Sequence, residues 1–572
     1  MKIFDKDGNL YYDRKARMNY RGSSSLNFKK KSYAFCTGDE NCGQEADKSA
    51  DYVKTKKMNL FGLSDGAKDK DWVLYAAAAD PSFMRNRLAF DTYKEMTGEW
   101  GVSSMYVELI IDGEYKGVYV LMDKVTVNEN RVNITASNGF LVKYDKTDKE
   151  DRVEGYNGEY GDQKTFKTTR TGGDDKSTYD TTNDQRFEIE YPEKKDVVKN
   201  GGNWNATVTT IKNMFEDFEE ALSTKDYPRV RQLIDYKSWA DWFIFNEFSK
   251  NVDAYRASCI FVYNGDKIEA RPLWDQELSF KNKAPYSVYN SKDENYKSTD
   301  QTNGLLIRNA KVYTDGFPAP FWFTGGDSYL TGGLLGDACF ISVLRDRWDL
   351  HTGNGGALTA AKMQEKVKAY VDELGTAYSR DYTKWKEGND GVERTIDCKG
   401  GGVGYVEYSF TNSKTDLDNW IAGDIKDLSA ESSSENRRSN LNYIIEKELE
   451  AEDIRIILTL SPEDGKTTPW IPVSVKVSAP KGYEYTYDES SILSVTGDDA
   501  PTRNAKGNVY TYTFPRPKDW GAGNVSTAIA PNEYNVSATL KMAGGTNECG
   551  TTIQLTTEAT ITLEDEGNDN CQ

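Results

Sequence analysis

"FNEFSKNVDAYRASCIFVYNGDKIEARPLWDQELSF", Phe245 to Phe280, is the stretch on which the reading of the fold turns. An apolar-periodic helix, expected to be amphipathic, runs up to it, and Asn251 and Asp253 stand just past the helix end. Two β-rich runs follow, and Asp275 and Glu277 then appear in Trp-Asp-Gln-Glu near the end of a strand. Magnesium is a hard cation that takes one or two carboxylates together with phosphate oxygens and water. Asn251, Asp253, Asp275 and Glu277 are a candidate set of that kind, carried on two adjacent loops. Alone, an Asn-x-Asp is also a common cap and turn sequence; Trp274 and the preceding strands point to a site.

Phosphoryl transfer asks little covalent chemistry of a protein: carboxylate-held metal, a cation on the phosphates and a positioning base suffice. The second half of such a site is sought in "RGSSSLNFKKKSYAF", Arg21 to Phe35. It is not a Walker loop, because a single glycine, Gly22, precedes the lysines. Arg21, the backbone N–H groups from Gly22 through Ser24 to Ser25, and one of Lys29, Lys30 or Lys31 are candidates for a phosphate cradle. A solvated hairpin is the plain alternative.

Composition narrows the chemistry further. The 572-residue chain carries 72 Lys and Arg against 91 Asp and Glu, a net charge of −19 that repels nucleic acid and anionic lipid. Its 36 Tyr and 12 Trp speak for a folded protein of roughly two to four domains. No apolar run approaches the ~20 residues of a membrane span, and the N-terminus lacks a secretory core, so the protein is expected to be cytoplasmic or to have lost a leader. The one histidine, His351, is expected near a helix C-terminus without a catalytic role, which nearly excludes Ser-His-Asp, Cys-His and multi-histidine zinc chemistry. Of seven cysteines, Cys36 with Cys42 and Cys549 with Cys571 are expected as local disulfides, leaving Cys259, Cys339 and Cys398; ordinary thiols are the alternative. Sequons at Asn133, Asn205, Asn524 and Asn535 permit secretion without requiring it.

Residues 1–145 read as a small antiparallel sheet plus one long helix, with a hairpin turning at Asp112-Gly113 and a strand at 139–144. The helix is expected over Asp71 to Gly98, broken at Asp80-Pro81 and restarted with Ser82 or Asp80 as cap. Residues 146–205 are nearly all polar and read as a connector, 206–454 as a run of helices. Residues 455–572 alternate in short strands between Gly/Pro turns, the pattern of a β-sandwich, whose aromatics serve either its core or a carbohydrate platform.

Taken in order, these segments resemble the CotH-like atypical protein kinases, named for the spore-coat member. "YRGSSSLNFKKKSYAF" is similar to R-G-N-S-S…P-K-K-S-Y, with Ser23 for Asn and Lys29 for Pro. "DWVLYAAAADPSFMRNRLAF" resembles W-x-L…D-x-S-x-x-R-N through Asp80, Ser82, Arg85 and Asn86. "IIDGEYKGVYVLMDKV", "NVDAY", "PLWDQELSF", "GLLGDACFISVLRDRW" and the arginines of "ENRRSNLNYI" follow in the family's order. The resemblance, from about residue 20 to 450, implies an α+β, protein-kinase-like two-lobed fold that binds ATP with Mg2+ or Mn2+ and phosphorylates Ser or Thr of a protein substrate. On it, Arg21, Ser24 and Lys30 or Lys31 face phosphate, Asp253 and Asn251 serve catalysis, and Asp275, Glu277 and Asp253 hold metal. Glu277 replaces the family's second aspartate and Asp123 replaces its usual hairpin-ending, nucleotide-side Glu. Secretion or surface attachment is expected. The rival readings are a non-catalytic surface adhesion or scaffold module with a glycan or cell-surface ligand, and a two-carboxylate glycoside hydrolase.

Overall fold

The computed structural model describes residues 1–13, 16–22, 24–38, 57–61, 68–146, 164–168, 185–251, 253–255, 257–282, 305–309, 318–325, 333–385, 393–398, 402–407, 410–422, 437–445, 456–468, 471–479, 483–495, 500–515, 532–542 and 555–563. It mixes helices with mostly antiparallel sheets, an α+β architecture, in two compact units, Met1–Leu449 and Glu450–Gln572.

The first unit opens with a short hairpin, β1 (Lys2–Phe4) and β2 (Leu10–Asp13). A five-stranded antiparallel sheet follows, built from β3 (Ala16–Arg21), β4 (Ser32–Thr37), β5 (Asp71–Tyr75), β6 (Ser104–Ile111) and β7 (Glu114–Asp123) in the order β3-β4-β5-β7-β6. Alternate residues of a strand share a face, so Tyr33, Phe35, Trp72, Leu74, Tyr119 and Leu121 close one core with Phe28 and Leu60. The β6–β7 turn is Asp112-Gly113, both with positive φ (52° and 78°), as a two-residue hairpin of the right twist demands.

Asp71–Tyr75 is a strand, where a helix was expected. It lies between β4 and β7, with Trp72, Val73, Leu74 and Tyr75 all buried. A strand covered on both faces reads as a continuous apolar run, which periodicity alone does not separate from a buried helix. The helix, α1, is confined to Arg85–Thr97 and ends at Gly98 in the left-handed conformation. Its N-cap is Met84, yet Asp80 and Ser82 still serve the first turn: Asp80 Oδ2 accepts from Arg85 N at 2.9 Å and Ser82 Oγ from Met84 N at 3.3 Å.

The second sheet of this unit comprises β8 (Phe140–Lys146), β9 (Thr165–Phe166), β10 (Gln185–Tyr191), β11 (Cys259–Tyr263) and β12 (Ile268–Ala270), in the order β12-β11-β8-β10-β9. The polar stretch 146–205 thus contributes β9 and β10 to a sheet. Four helices follow: α2 (Lys194–Lys199), α3 (Trp204–Ser223), α4 (Tyr227–Leu233) and α5 (Tyr236–Ser249), the last three capped by Asn203, Asp226 and Asp235. Phe215 of α3 packs on Phe140, Phe187 and Phe261 of the sheet. Helix α5 is buried on every residue except Lys237, so it is a core helix and not the amphipathic one its flanks suggested. It ends at Lys250, whose φ of +46° turns the chain out into the Asn251 loop. His351 lies at the C-terminal end of the helix Ala338–Thr352, its Nε2 2.8 Å from Asp241 Oδ1, which Arg347 also grips.

The helix Ala377–Trp385 locks onto β7. Asp381 Oδ1 accepts from Val118 N at 2.8 Å and Trp385 Nε1 donates to the Lys116 carbonyl at 3.0 Å. So close an approach needs Gly117, at φ +101°, where a Cβ would stand 2.1 Å from Asp381 Oδ1.

In the second unit the strands Ile457–Ser461, Val473–Ser478, Val509–Thr513 and Thr502–Lys506 form one four-stranded sheet, and Lys466–Thr467, Leu555–Leu563, Asn532–Met542 and Tyr483–Asp488 another. Val473, Val475, Tyr512 and Phe514 share one apolar cluster with Tyr534, Val536, Ile561 and Leu563. Tyr487 and Tyr510 stack at 4.1 Å and the Tyr512 hydroxyl bonds Tyr487 and Glu489, so these aromatics are engaged with one another.

Cys36 and Cys339 are each engaged in a disulfide and Cys259 is a buried free thiol, so Cys339, expected to be left over, is not. Cys42, Cys549 and Cys571 lie outside the described residues. Among the described residues no helix is long and apolar enough to cross a membrane. Gly117→Ala is expected to cost about 1–3 kcal/mol through its left-handed backbone and the displaced Asp381, read as a lower denaturation midpoint.

Candidate active site

One amide ties the two acidic loops together. The buried Asn251 donates from Nδ2 to the Asp275 carbonyl at 3.2 Å, while its Oδ1 accepts from Asp253 N at 3.2 Å. Asp275 has a φ of +56°, and Phe280 and Lys281 have +53° and +57°, a conformation that costs each non-glycine residue about 1–3 kcal/mol. Such backbone persists only where its surroundings over-determine it, and here several bonds do so. Gln276 N donates to Asn86 Oδ1 at 2.7 Å, Phe280 N to the Ser249 carbonyl at 2.7 Å, and Arg85 Nε to the Ser279 carbonyl at 3.1 Å. Asn282 Nδ2 donates to the Ala79 carbonyl at 2.8 Å and to that of Glu277 at 2.6 Å. Arg85 is in turn anchored by Asp80 at 2.6 Å and donates to Ser413 Oγ at 2.7 Å. The Asp-x-Ser-x-x-Arg-Asn segment is therefore the clamp that holds the Asp275 loop on the start of α1.

The side chains carried by these loops repel one another. Asp275 is only half-buried, yet loss of water, then the charges of Asp253 and Asp145, push its carboxyl up to about 6, against Arg21 and a 3.3 Å bond from Ser258 Oγ. Glu277 is raised well above the usual carboxylate range by desolvation and by Asp275, with Asp253 and Asp80 acting the same way and the buried Tyr75 hydroxyl opposing them. The counter-charge is Arg21: desolvation lowers it, while Asp275, Glu277 and Asp145 hold its proton on. Its guanidinium lies over the Trp274 ring, 5.3 Å from the centroid. Like charges crowded in low dielectric favour either protonation or a bound cation.

Among the described residues no three His, Cys, Asp or Glu side chains are grouped as a metal cage. The donor set still fits a magnesium-type ion, which needs one or two carboxylates and takes its remaining oxygens from phosphate and water. Asp275 and Glu277 are the two carboxylates that would serve such an ion, and Asp253 acts on both electrostatically.

A family model described as CotH kinase protein matches residues 18–422. The chain belongs to the CotH kinase family. Membership carries a kinase-like function, and the matched span includes Arg21, the α1 clamp, both acidic loops and the helix Phe410–Ala422 that touches Arg85. No curated protein matches the chain.

Of the residues the CotH resemblance pointed to, the structure brings Arg21, Asn251, Asp253, Asp275 and Glu277 together. Three others have partners of their own. The Lys30 ammonium is buried in an ion pair with Asp381 at 2.6 Å, donates to the Val118 carbonyl at 2.5 Å, and lies between the rings of Phe83 and Tyr119. Lys31 Nζ bonds the Leu26 carbonyl. Asp123, at the end of β7, is 2.9 Å from Arg131, which also reaches Asp69 at 3.4 Å, and accepts from Ser103 N at 3.1 Å. Ser24 starts a single 3-10 turn, Ser24–Asn27, and its side chain lies outside what is described. That turn requires Gly22, since a Cβ there would stand 1.9 Å from Ser25 Oγ.

Asp145 is the charged member that sequence reasoning missed. Tyr144 pairs with Cys259 in the β8–β11 ladder, which sets Asp145 level with Ser258, the donor to Asp275. The available signal was its place at the end of an apolar strand; the acidic run that follows disguised it as solvated.

Asp381→Ala removes the carboxylate from a buried lysine and is expected to destabilise the protein by about 3–5 kcal/mol, whereas Lys30→Met with Asp381→Leu recovers most of that loss in chemical denaturation.

Proposed function

We propose that the protein transfers the γ-phosphate of ATP to Ser or Thr hydroxyls of secreted or surface proteins. On this reading the site lies in a cleft between a sheet-rich lobe, residues 1–145, and a helical lobe, residues 206–454, with 455–572 an appended β-sandwich. The observation that carries the proposal is the meeting of Arg21, from the basic segment, with Asp275 and Glu277, from the acidic loop, in one electrostatic cluster. Nucleotide phosphates and a divalent cation are what such a mixture of charges complements.

Asp275 and Glu277 would hold Mg2+ or Mn2+, with Asp253 beside them, and the ion when bound supplies neutralisation of the phosphate charge. Arg21 binds phosphate oxygens from its seat on Trp274, with Lys31 and the backbone N–H groups near Ser24 at the periphery. Lys30 stays in its ion pair with Asp381 and shapes the segment. Asp253 accepts the proton of the attacking hydroxyl as the new O–P bond forms and the bond to the ADP oxygen breaks; Asn251 orients Asp253 by holding its backbone N–H. The disulfide-bonded state of Cys36 and Cys339 supports an oxidising, extracellular or cell-surface setting.

The second reading, a surface adhesion or scaffold module with a glycan or cell ligand, draws on the acidic, tyrosine-rich composition and on the longer side chain at Glu277. Labelled ATP separates the two. The full chain with Mn2+ is expected to label a Ser/Thr protein substrate, Asp253→Ala to abolish labelling, and Asp275→Asn to remove metal-dependent ATP binding in titration calorimetry. Undiminished ATP binding by Asp275→Asn overturns the metal assignment, and saturable glycan binding without any phosphate transfer favours the module.

A further inference from the structure

We infer that Asn86 is a positioning residue of the phosphoryl-transfer site, acting through the peptide that joins Asp275 to Gln276; the inference rests on the function proposed above. Asn86 is 2% exposed and stands at the second residue of α1, a helix otherwise devoted to the core. Its Oδ1 accepts the Gln276 N–H at 2.7 Å. That N–H belongs to the residue between the two carboxylates, so a single side-chain oxygen fixes the peptide plane from which Asp275 and Glu277 both diverge.

The Asp275 backbone gives this bond its consequence. At φ +56° an aspartate is in a conformation it leaves readily when the following peptide is unheld, and relaxation of that φ would carry the Asp275 carboxyl away from Ser258 Oγ and Arg21. Asn251 holds the carbonyl side of this peptide at 3.2 Å and Asn86 the N–H side, so the two amides grip it from opposite ends. Arg85, the preceding residue, holds the loop farther along at Ser279 and Phe280. Asn86 is thus the point at which α1 reaches the segment between the acidic groups. Outer partners of this kind typically govern metal affinity by 10–100-fold without touching the ion.

The test uses the full chain and Mn2+ titrated by electron paramagnetic resonance in the presence of a non-hydrolysable ATP analogue, alongside thermal denaturation. Asn86→Ala is expected to weaken Mn2+ binding by about 10–100-fold. Asn86→Asp keeps the acceptor oxygen and is expected to stay within about threefold of the unaltered protein. Leu88→Ala, a core truncation on the same helix, lowers the melting temperature and leaves Mn2+ affinity in place. If Asn86→Ala does not fold, Asn86→Gln, which displaces the acceptor by one methylene, carries the same expectation. Equal Mn2+ affinity in the Asn86→Ala and unaltered proteins, with affinity lost in Asp275→Asn, overturns the role of Asn86 alone. Affinity retained in Asp275→Asn as well overturns the metal site and the inference with it.

Discussion

Asp275 and Glu277 sit two residues apart on a loop that has lost much of its water; Asp275 raises the proton affinity of Glu277, and Asp253 raises that of both. Carboxyls crowded in this way favour the arrival of positive charge. Arg21 brings part of it, from a segment more than 250 residues earlier in the chain, a separation read directly from the numbering. The rest of the first unit serves this meeting. The five-stranded sheet ends β3 at Arg21, the second sheet carries Asp145 near the end of β8 beside Ser258, and the core helix α5 turns out at Lys250 to present Asn251.

Repulsion of this sort destabilises a fold, and the structure answers it with restraint in place of charge pairing. The Asp275 loop is fastened by Asn86 and Arg85 from α1, by the Ser249 carbonyl from α5, and by Asn251 across the two loops. Nearly all are side-chain bonds to main chain, which fix backbone position and leave the carboxylates to Arg21 and Ser258. On the proposed function that division suits an external cation, because a lysine bonded to each acid would satisfy them in advance.

How far this was legible in the sequence depended on whether a residue's partner is near it in the chain. The Asp112-Gly113 hairpin and the Gly98 stop were readable because their causes are local. Asp71–Tyr75 was not, because being covered by β4 and β7 erases the alternation that identifies a strand. Motif spacing found Asn251, Asp253, Asp275 and Glu277, whose loops adjoin one hairpin. It gave no way to see that Asp381, 351 residues on, occupies Lys30, or that Asp145 joins the cluster through a strand register. The Arg131–Asp123 pair was likewise unreadable, and it moves Asp123 from the nucleotide side of the argument to the sheet.

The exchange between Lys30 and Arg21 follows from how the two cations tolerate burial. A lysine ammonium is a compact, strongly hydrated charge that loses its proton readily when desolvated, so deep among Phe83, Tyr119 and Val118 it keeps its charge by pairing closely with Asp381. A guanidinium is more weakly hydrated, spreads its charge over a plane and stays protonated, which lets Arg21 lie on Trp274 within the electrostatic reach of several carboxylates at once. On the proposed function, a cation that meets acidic groups in the resting protein and phosphate oxygens in the loaded one has to change partners without changing its protonation. Arginine meets that requirement where a buried lysine does not, and the basic segment of this chain accordingly divides its work: its lysine braces the sheet against the helix Ala377–Trp385, and its arginine faces the site.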